Sequence, residues 1–526
     1  MGACNPQLVV LDFPGIKRFV FGTDRLVEIR GASALLDRLN RDVIPQFISE
    51  KYGSKGGRCV FAGGGAGQFI IEDTLENIHR TFHEIQGEVH RQSGGLLHTI
   101  IGVAPLNGDF RTALDAAFLD LQANKFQRPF DPSPGLHTGF VRECDSCSGM
   151  ACEVNAFSDE TRILCKACAQ KQKMGWERGL WNKFSDYLKI HEIHPEQSGE
   201  LRPKDFEEIG SRCRTKRGYT ALVYGDGNAI GKLVKQIGKE EEFGRFSAVL
   251  DNSVREACHE ALWRHCPVVD GKIPADILLL GGDDLMVYMS ADNAMPFAID
   301  VARLFEQKTR EALLKTDQSF LENKLGGRGL TISIGIAYGK SHTPISIMVD
   351  QAEEVLNKSA KKRGSALVGN DAYTPPCIDF HLTGHFNQAS VADSRRHHLT
   401  FRTPRGEEVH LYRGPYTLEE AEALLEHAGN LVRSGIPRSR LHRMRDAPFK
   451  GKINGTLEML TLYNGCRTTE QKQTIWKALD RFDCLPVMPW RVGEIATSTV
   501  LVDLLEIADL MRSPGKDSKH DSSHSS

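Results

Sequence analysis

Two stretches of this chain carry the same succession of local patterns. That duplication restricts the fold more than any other feature. In the first, QLVVLD (7–12) is a short β-rich run, a helical stretch covers about 28–50, and RCVFAGGGAGQFIIE (58–72) reads as two strands around glycines. A helical stretch at 75–92, the strand LLHTIIGVA (96–104) and a helix near 112–124 complete it. In the second, TALVYGD (220–226) is a strand, a long helical segment runs over 229–265, and ADILLLGGDDLMVYM (275–289) is again two strands around a tight turn. Helical residues 292–315, the strand LTISIGIAYG (330–339) and the helix 345–363 follow. Strand, helix, hairpin, helix, strand is the split βαβ plan of a ferredoxin-like domain. The expected fold is therefore α+β, with two such units facing each other and a site at their junction.

The repeat divides the 526 residues. A first unit covers 1–130, a cysteine-bearing module 140–172, a helical connector 173–215 and the second unit 216–370. A segment with several helical patterns, such as LEEAEALLEHAGNLVRSG (418–435), covers 371–512, and a polar tail expected to be disordered covers 513–526. Net charge is −2 with a pI near 6.8, so contact with nucleic acid has to be local rather than a property of the whole surface. No run of about 18 apolar residues is present, so no membrane association is expected. The opening MGACNPQLVVLDF has no signal-peptide pattern, and Pro6 stands where a myristoylation pattern needs Ser or Thr. These features predict a cytoplasmic protein whose 13 cysteines, where clustered, serve metal rather than disulfides.

Cys144, Cys147, Cys165 and Cys168 form two C-x2-C pairs separated by 17 residues. Four thiolates at this spacing suit tetrahedral Zn2+ and leave no open position for a catalytic water, so a structural zinc is expected. Scattered core cysteines would seldom produce two such pairs, and Cys152 is a bystander.

The second unit carries the acids. Asp226 ends its first strand in YGDGN, and Asp283 and Asp284 lie at the hairpin tip LLLGGDDLMVYM. In a split βαβ sheet the first strand and the hairpin are neighbours, so the three carboxylates can converge. Hard oxygen ligands at one point suit Mg2+ or Mn2+, which also grips substrate phosphates. Two such ions can activate a hydroxyl and stabilise a leaving pyrophosphate. Gly281 and Gly282 let the backbone approach phosphates closely. A plain Gly/Asp turn would explain the tip alone; Asp226 at the matching place favours the metal.

In SAKKRGS (359–365), Lys361, Lys362 or Arg363 could reach β- or γ-phosphates. Equally, they could be basic residues favoured by the helix dipole, ahead of a Gly364 cap. In the first unit Asp12 stands where Asp226 does, but the tip GGGAG (63–67) has no acid. That unit is expected to be catalytically silent, although the N–H groups of Gly63, Gly64 and Gly65 could form an anion concavity for a second nucleotide. The run LVRSGIPRSRLHRMRDAPFKGK (431–452) carries Arg433, Arg438, Arg440, Arg443, Arg445, Lys450 and Lys452, either for RNA phosphates or an acidic partner, or as a solvated helix face.

Taken together, LDFPGIKRFVFGTDRLVEIRGASALLDRL (11–39), FAGGGAGQFII (61–71), the four cysteines, RPKDFEEIG (202–210), YGDGNAIGKL (224–233) and LLLGGDDLMVYM resemble the large polymerase-like subunit of type III CRISPR effector complexes. That family has two palm domains, a zinc module between them and a helical C-terminal domain. The resemblance runs over about residues 8–370 and is weaker beyond. It implies a nucleotidyltransferase that joins ATP into cyclic oligoadenylate messengers of antiviral defence. Asp226, Asp283 and Asp284 would be catalytic and hold Mg2+ or Mn2+. Gly227, Asn228, Gly281 and Gly282 would contact nucleotide, and Lys361 matches a phosphate-contacting position shared with GGDEF cyclases. Guide or target RNA and other effector subunits would be partners. Many members begin with an HD nuclease domain. Here the first palm starts near residue 7 and HRTFHE (79–84) has no adjacent His-Asp pair, so HD-type DNA cleavage is not expected, and a standalone or reduced relative is. Two other readings stay open: a non-catalytic scaffold of an RNA-guided complex, against which three converging acids speak, and a cyclase making another cyclic dinucleotide, against which the second palm and zinc module speak.

Overall fold

The computed structural model describes residues 5–126, 142–155, 161–176, 179–192, 200–368, 373–383, 390–493 and 496–511. The tail 513–526 lies outside the described residues. The first unit is a four-stranded antiparallel sheet of β1 (Gln7–Asp12), β2 (Gly57–Gly63), β3 (Ala66–Ile71) and β4 (Ile100–Pro105), in the order β2-β3-β1-β4. Between it and the second unit lies a short hairpin, β5 (Glu153–Asn155) and β6 (Arg162–Leu164). The second unit is built on β7 (Tyr219–Gly227), β8 (Ala275–Gly281), β9 (Asp284–Ser290) and β10 (Ile332–Lys340), in the order β10-β7-β9-β8. The two orders are the same, and both are that of a split βαβ sheet.

Side-chain alternation explains why these strands are apolar throughout. Along β1, Leu8 and Val10 pack with Leu114 and Leu121, whereas Val9 and Leu11 enter a core shared with Leu222, Tyr224, Met286 and Met348 of the second unit. Both faces are buried, so a strict apolar/polar alternation would have been wrong here. The shared core joins the two sheets.

Two features differ from the sequence-based expectation. The segment 371–512 is not purely helical. Its β11 (Cys377–Leu382) pairs parallel with β10, and β14 (Tyr416–Thr417) pairs with β11, so the second sheet has six strands. A further small sheet is formed by β12 (Thr400–Arg402), β13 (Glu408–His410), β15 (Arg491–Val492) and β16 (Thr497–Ser498). A six-residue buried run such as CIDFHL has no period that separates strand from helix. Its Asp379, fully buried, is neutralised by Arg395 at 2.8 Å. The second difference is Gly364. It is no cap but lies inside the helix Lys361–Ala366, where an added Cβ would come within 2.8 Å of the Pro375 carbonyl.

One helix, Leu26–Arg38, ties the modules together. On one side Glu28 is fully buried and accepts hydrogen bonds from Thr23, Ser146 and Arg162, the last two from the cysteine module. On the other side Arg30 pairs with buried Asp276 of β8 and also donates to the Pro203 carbonyl at 2.6 Å, while Ser33 donates to the carbonyl of Leu278. Gly31 and Gly175 allow this helix to cross Lys166–Trp176 backbone to backbone; a Cβ on either would overlap a carbonyl oxygen of the other helix.

Candidate active site

The β8–β9 hairpin closes through Gly281 opposite Asp284, leaving a two-residue loop, Gly282-Asp283. Gly282 has φ +66°, the left-handed conformation that favours glycine, and it stands first in the loop as in a type II′ turn. Asp283 needs no left-handed backbone and can carry a side chain. Asp284 opens β9 and lies directly opposite Asp226 of β7. Cross-strand partners point to the same side of a sheet with Cβ atoms about 5 Å apart, which brings the two carboxylates together. Gly227 is required beside them: a Cβ there would lie 2.9 Å from that of Asp283. Three acids thus gather at one end of the sheet, spaced more widely than the four cysteine sulfurs, whose atoms all lie within 4.8 Å of one another.

Their electrostatics reflect the crowding. Burial, then repulsion from Asp226, pushes the Asp283 carboxyl up to about 6. Burial, then Asp226 and Asp283, pushes that of Asp284 up to about 8. Half-buried carboxyls that repel one another are what a divalent cation would relieve. The cation nearest to hand is Lys361, which forms an ion pair with Asp226. It follows directly on a π-helical turn, Leu356–Ala360, of the kind found at functional sites. The neighbouring Arg363 is instead held by Glu420 at 2.7 Å.

The first unit contributes residues that no local motif pointed to. Lys17 stands over the Tyr224 ring at 5.4 Å, pairs with Glu353 and favours the charged form of Asp284. Arg41 lies in a second π-helical turn, Leu39–Val43, and reaches Asp251 of the second unit at 2.6 Å. A cavity of about 160 Å³ lies between the units, lined among others by Lys17, Arg41, Gly64, Gly65, Gly281 and Asp284. The two hairpin tips meet here: a Cβ on Gly64 would lie 3.5 Å from the Gly281 carbonyl oxygen. Gly63 is not at the cavity wall but pairs with Ala66 in the sheet. Asn228 turns its amide inward to the Thr331 hydroxyl at 3.0 Å, joining the end of β7 to the start of β10.

The first unit repeats part of the site. Asp12, opposite Ala66 as Asp226 is opposite Asp284, pairs with Lys125 at 2.7 Å. Lys125 lies on the helix after the fourth strand, the place that Lys361 holds in the second unit.

The sulfurs of Cys144, Cys147, Cys165 and Cys168 all lie within 4.8 Å of one another. A zinc tetrahedron with bonds of about 2.3 Å has sulfur–sulfur edges of about 3.8 Å, so the group fits. Cys152 is exposed and outside it. The basic run 431–452 is largely answered within the chain: Arg438 by Asp509, Arg443 and Lys450 by Glu458, and Lys452 by Glu407. No helix among the described residues is long and apolar enough to cross a membrane.

The fold and the site define a double-palm protein with one acidic palm and a four-cysteine module between the two. Residues 219–367 match the family model of the Cas10/Cmr2 second palm domain. It is 22% identical over 450 residues to the CRISPR system single-strand-specific deoxyribonuclease Cas10/Csm1 (subtype III-A) of Thermococcus onnurineus (strain NA1), a match covering 69% of this chain and 55% of that protein. The chain thus spans about half the length of this curated relative. Among solved structures, a Csm1-Csm4 cassette in complex with cA4 matches 97% of this chain and 70% of its own, at 16% identity and a TM-score of 0.56. Csm1 from T. onnurineus matches 97% and 70%, at 15% identity and a TM-score of 0.53.

Proposed function

We propose that this chain is a nucleotidyltransferase that joins ATP into cyclic oligoadenylates, acting in CRISPR-type antiviral defence. The observation that carries the reading is the register of Asp226 against Asp284, with Asp283 at the adjoining tip and Lys361 on Asp226. Asp226, Asp283 and Asp284 hold Mg2+ or Mn2+, which when bound supplies charge neutralisation for the phosphates and for the departing pyrophosphate. The chain's own groups do the rest. Lys361 exchanges Asp226 for a substrate phosphate. Gly281 and Gly282 keep side chains away from the triphosphate. The cavity between the tips, with Lys17 on its wall, excludes water around the nucleotide. The Csm1-Csm4 cassettes with cA4, cA3 and AMPPNP are the structures that favour adenylate substrates and a Csm4-like subunit as partner; guide or target RNA is the partner that the family resemblance implies. The four cysteines hold a structural zinc.

The test is a product assay. Purified protein, alone and with guide-bearing partner subunits, is incubated with each NTP and Mg2+ or Mn2+, and products are resolved by chromatography and mass spectrometry. Cyclic adenylates are expected. Absence of any product under both conditions overturns the reading in favour of a scaffold.

A further inference from the structure

A two-residue hairpin loop is held only at its ends, so something else has to fix where its carboxylates point. At this tip the anchor is Asp251, on the helix Glu240–His265. Its Oδ1 accepts the N–H of Gly282 at 3.0 Å and a guanidinium N–H of Arg41 at 2.6 Å. Its other oxygen faces Arg255 at 3.1 Å. Arg41 comes from the first unit and is gripped in turn by Asp37 at 2.7 Å, and Asp37 by Lys183 of the connector helix Gly179–Ile190. The result is an alternating row, Lys183, Asp37, Arg41, Asp251, that begins in the connector, crosses the first unit and ends on the backbone of the acidic tip.

We infer that Asp251 and Arg41 are positioning residues that set the geometry of the 281–284 tip, and that through them the connector and the first unit govern how tightly the tip holds its divalent metal. Three observations carry this. The Gly282 N–H belongs to the one left-handed residue of the loop, so its hydrogen bond fixes the turn that aims Asp283. The Arg41 guanidinium sits between the two tips: a Cβ on Gly63 would lie 3.0 Å from it and one on Gly281 3.3 Å. It has an acid on either side, so its charge is matched within the row and is not spare for phosphate. Finally, a largely buried ion pair adds little net stability compared with apolar residues of the same size, so stability alone is a weak reason for the row, whereas orientation of a metal-holding loop is a strong one.

The inference rests on the tip holding a metal, as proposed above, and the experiment separates the two. Full-chain protein is titrated with Mn2+ alone, and free ion is followed by electron paramagnetic resonance. The Asp283→Ala, Asp284→Ala double variant sets the background. Asp251→Asn, which keeps the size but loses the charge, is expected to weaken Mn2+ binding about tenfold, and Arg41→Ala by about 10–100-fold. The charge-reversed pair Arg41→Asp with Asp251→Arg is expected to regain part of the loss. Circular dichroism at the titration temperature establishes that each variant is folded. A purely structural role would lower the unfolding temperature without changing Mn2+ affinity of the folded protein. If Arg41→Ala does not fold, Asp251→Asn decides. Mn2+ affinity within twofold of wild type in folded Asp251→Asn and Arg41→Ala overturns the inference and leaves the proposed function standing. Wild-type binding no stronger than the background variant overturns the metal reading itself and this inference with it.

Discussion

The hairpins of the two palm units have the same strand order and equally short loops, yet only one bears acids. In the first, Gly64 and Gly65 have φ of +60° and +81°. Both central positions are left-handed, as in a type I′ turn, in which the second, held here by Gly65, favours glycine. A Cβ on Gly65 would also fall onto the Ile16 side chain. In the second, only Gly282 is left-handed, and Asp283 is free to project. One dihedral angle thus separates Asp283, which projects a carboxylate from its tip, from Gly65 at the same place in the first tip, where glycine is favoured. The remainder of the pattern survives in both units: Asp12 with Lys125, Asp226 with Lys361. The first unit retains the frame of a site and lacks its working end.

This contrast can be broken outright. Asp283→Ala with Asp284→Ala is expected to abolish nucleotide joining while leaving zinc content and the circular dichroism spectrum unchanged; turnover equal to wild type would remove the distinction between the tips. It can be tested in reverse. Gly65→Asp with Ala66→Asp writes GGDD into the first tip. In the background lacking the native acids it is expected to restore no activity, and to cost about 1–3 kcal/mol in denaturant unfolding, because position 65 is left-handed and crowded. Restored synthesis would mean that sequence rather than turn geometry decides. The lysines sharpen the comparison: Lys361→Ala is expected to lower turnover about 10–100-fold, and Lys125→Ala to stay within about twofold, in the same product assay.

Acidity provides the smallest and most specific contrast. Asp283 and Asp284 take up protons in the fold up to about pH 6 and 8, well above the unfolded carboxylate value of 3.8. A raised carboxyl pKa means that the folded state binds more protons than the unfolded one, so this pair's contribution to stability falls as pH rises from about 4 to 8. Metal-free Asp283→Asn, Asp284→Asn protein is therefore expected to gain in unfolding temperature relative to wild type between pH 5 and pH 8. Because bound metal displaces those protons, Mn2+ affinity is expected to rise by on the order of tenfold over pH 6 to 8.

How much of this was legible in the letters depends on distance along the chain. The strands, the shared order of the two units and the four cysteines follow from local periodicity and spacing. The convergence of Asp226 with Asp284 followed from topology alone, since the first strand of a split βαβ sheet must lie beside its hairpin. Arg41, Asp251, Lys17 and Lys125 were not legible, because each acquires its role from a partner over a hundred residues away. In SAKKRGS, three adjacent cations looked equivalent; the helix surface separates them, sending Lys361 to Asp226 and Arg363 to Glu420. Asn228 looked like a ligand contact by its neighbours in sequence, but its amide is used to pin two strands. Gly364 had the context of a cap and turned out to serve close packing.

The helix Leu26–Arg38 has a consequence for how damage would spread. Its Glu28 is buried against Arg162 and Ser146 of the thiolate module, while Arg30, two residues on, holds Asp276 beneath the acidic hairpin. Where the four cysteines hold the proposed zinc, stripping it would loosen the module that supplies two of that carboxylate's three donors. The disturbance would then be passed along the helix to the strand that carries the proposed catalytic loop. Chelators and thiol oxidants would thus act as remote poisons of the proposed reaction, whose chemistry involves no sulfur.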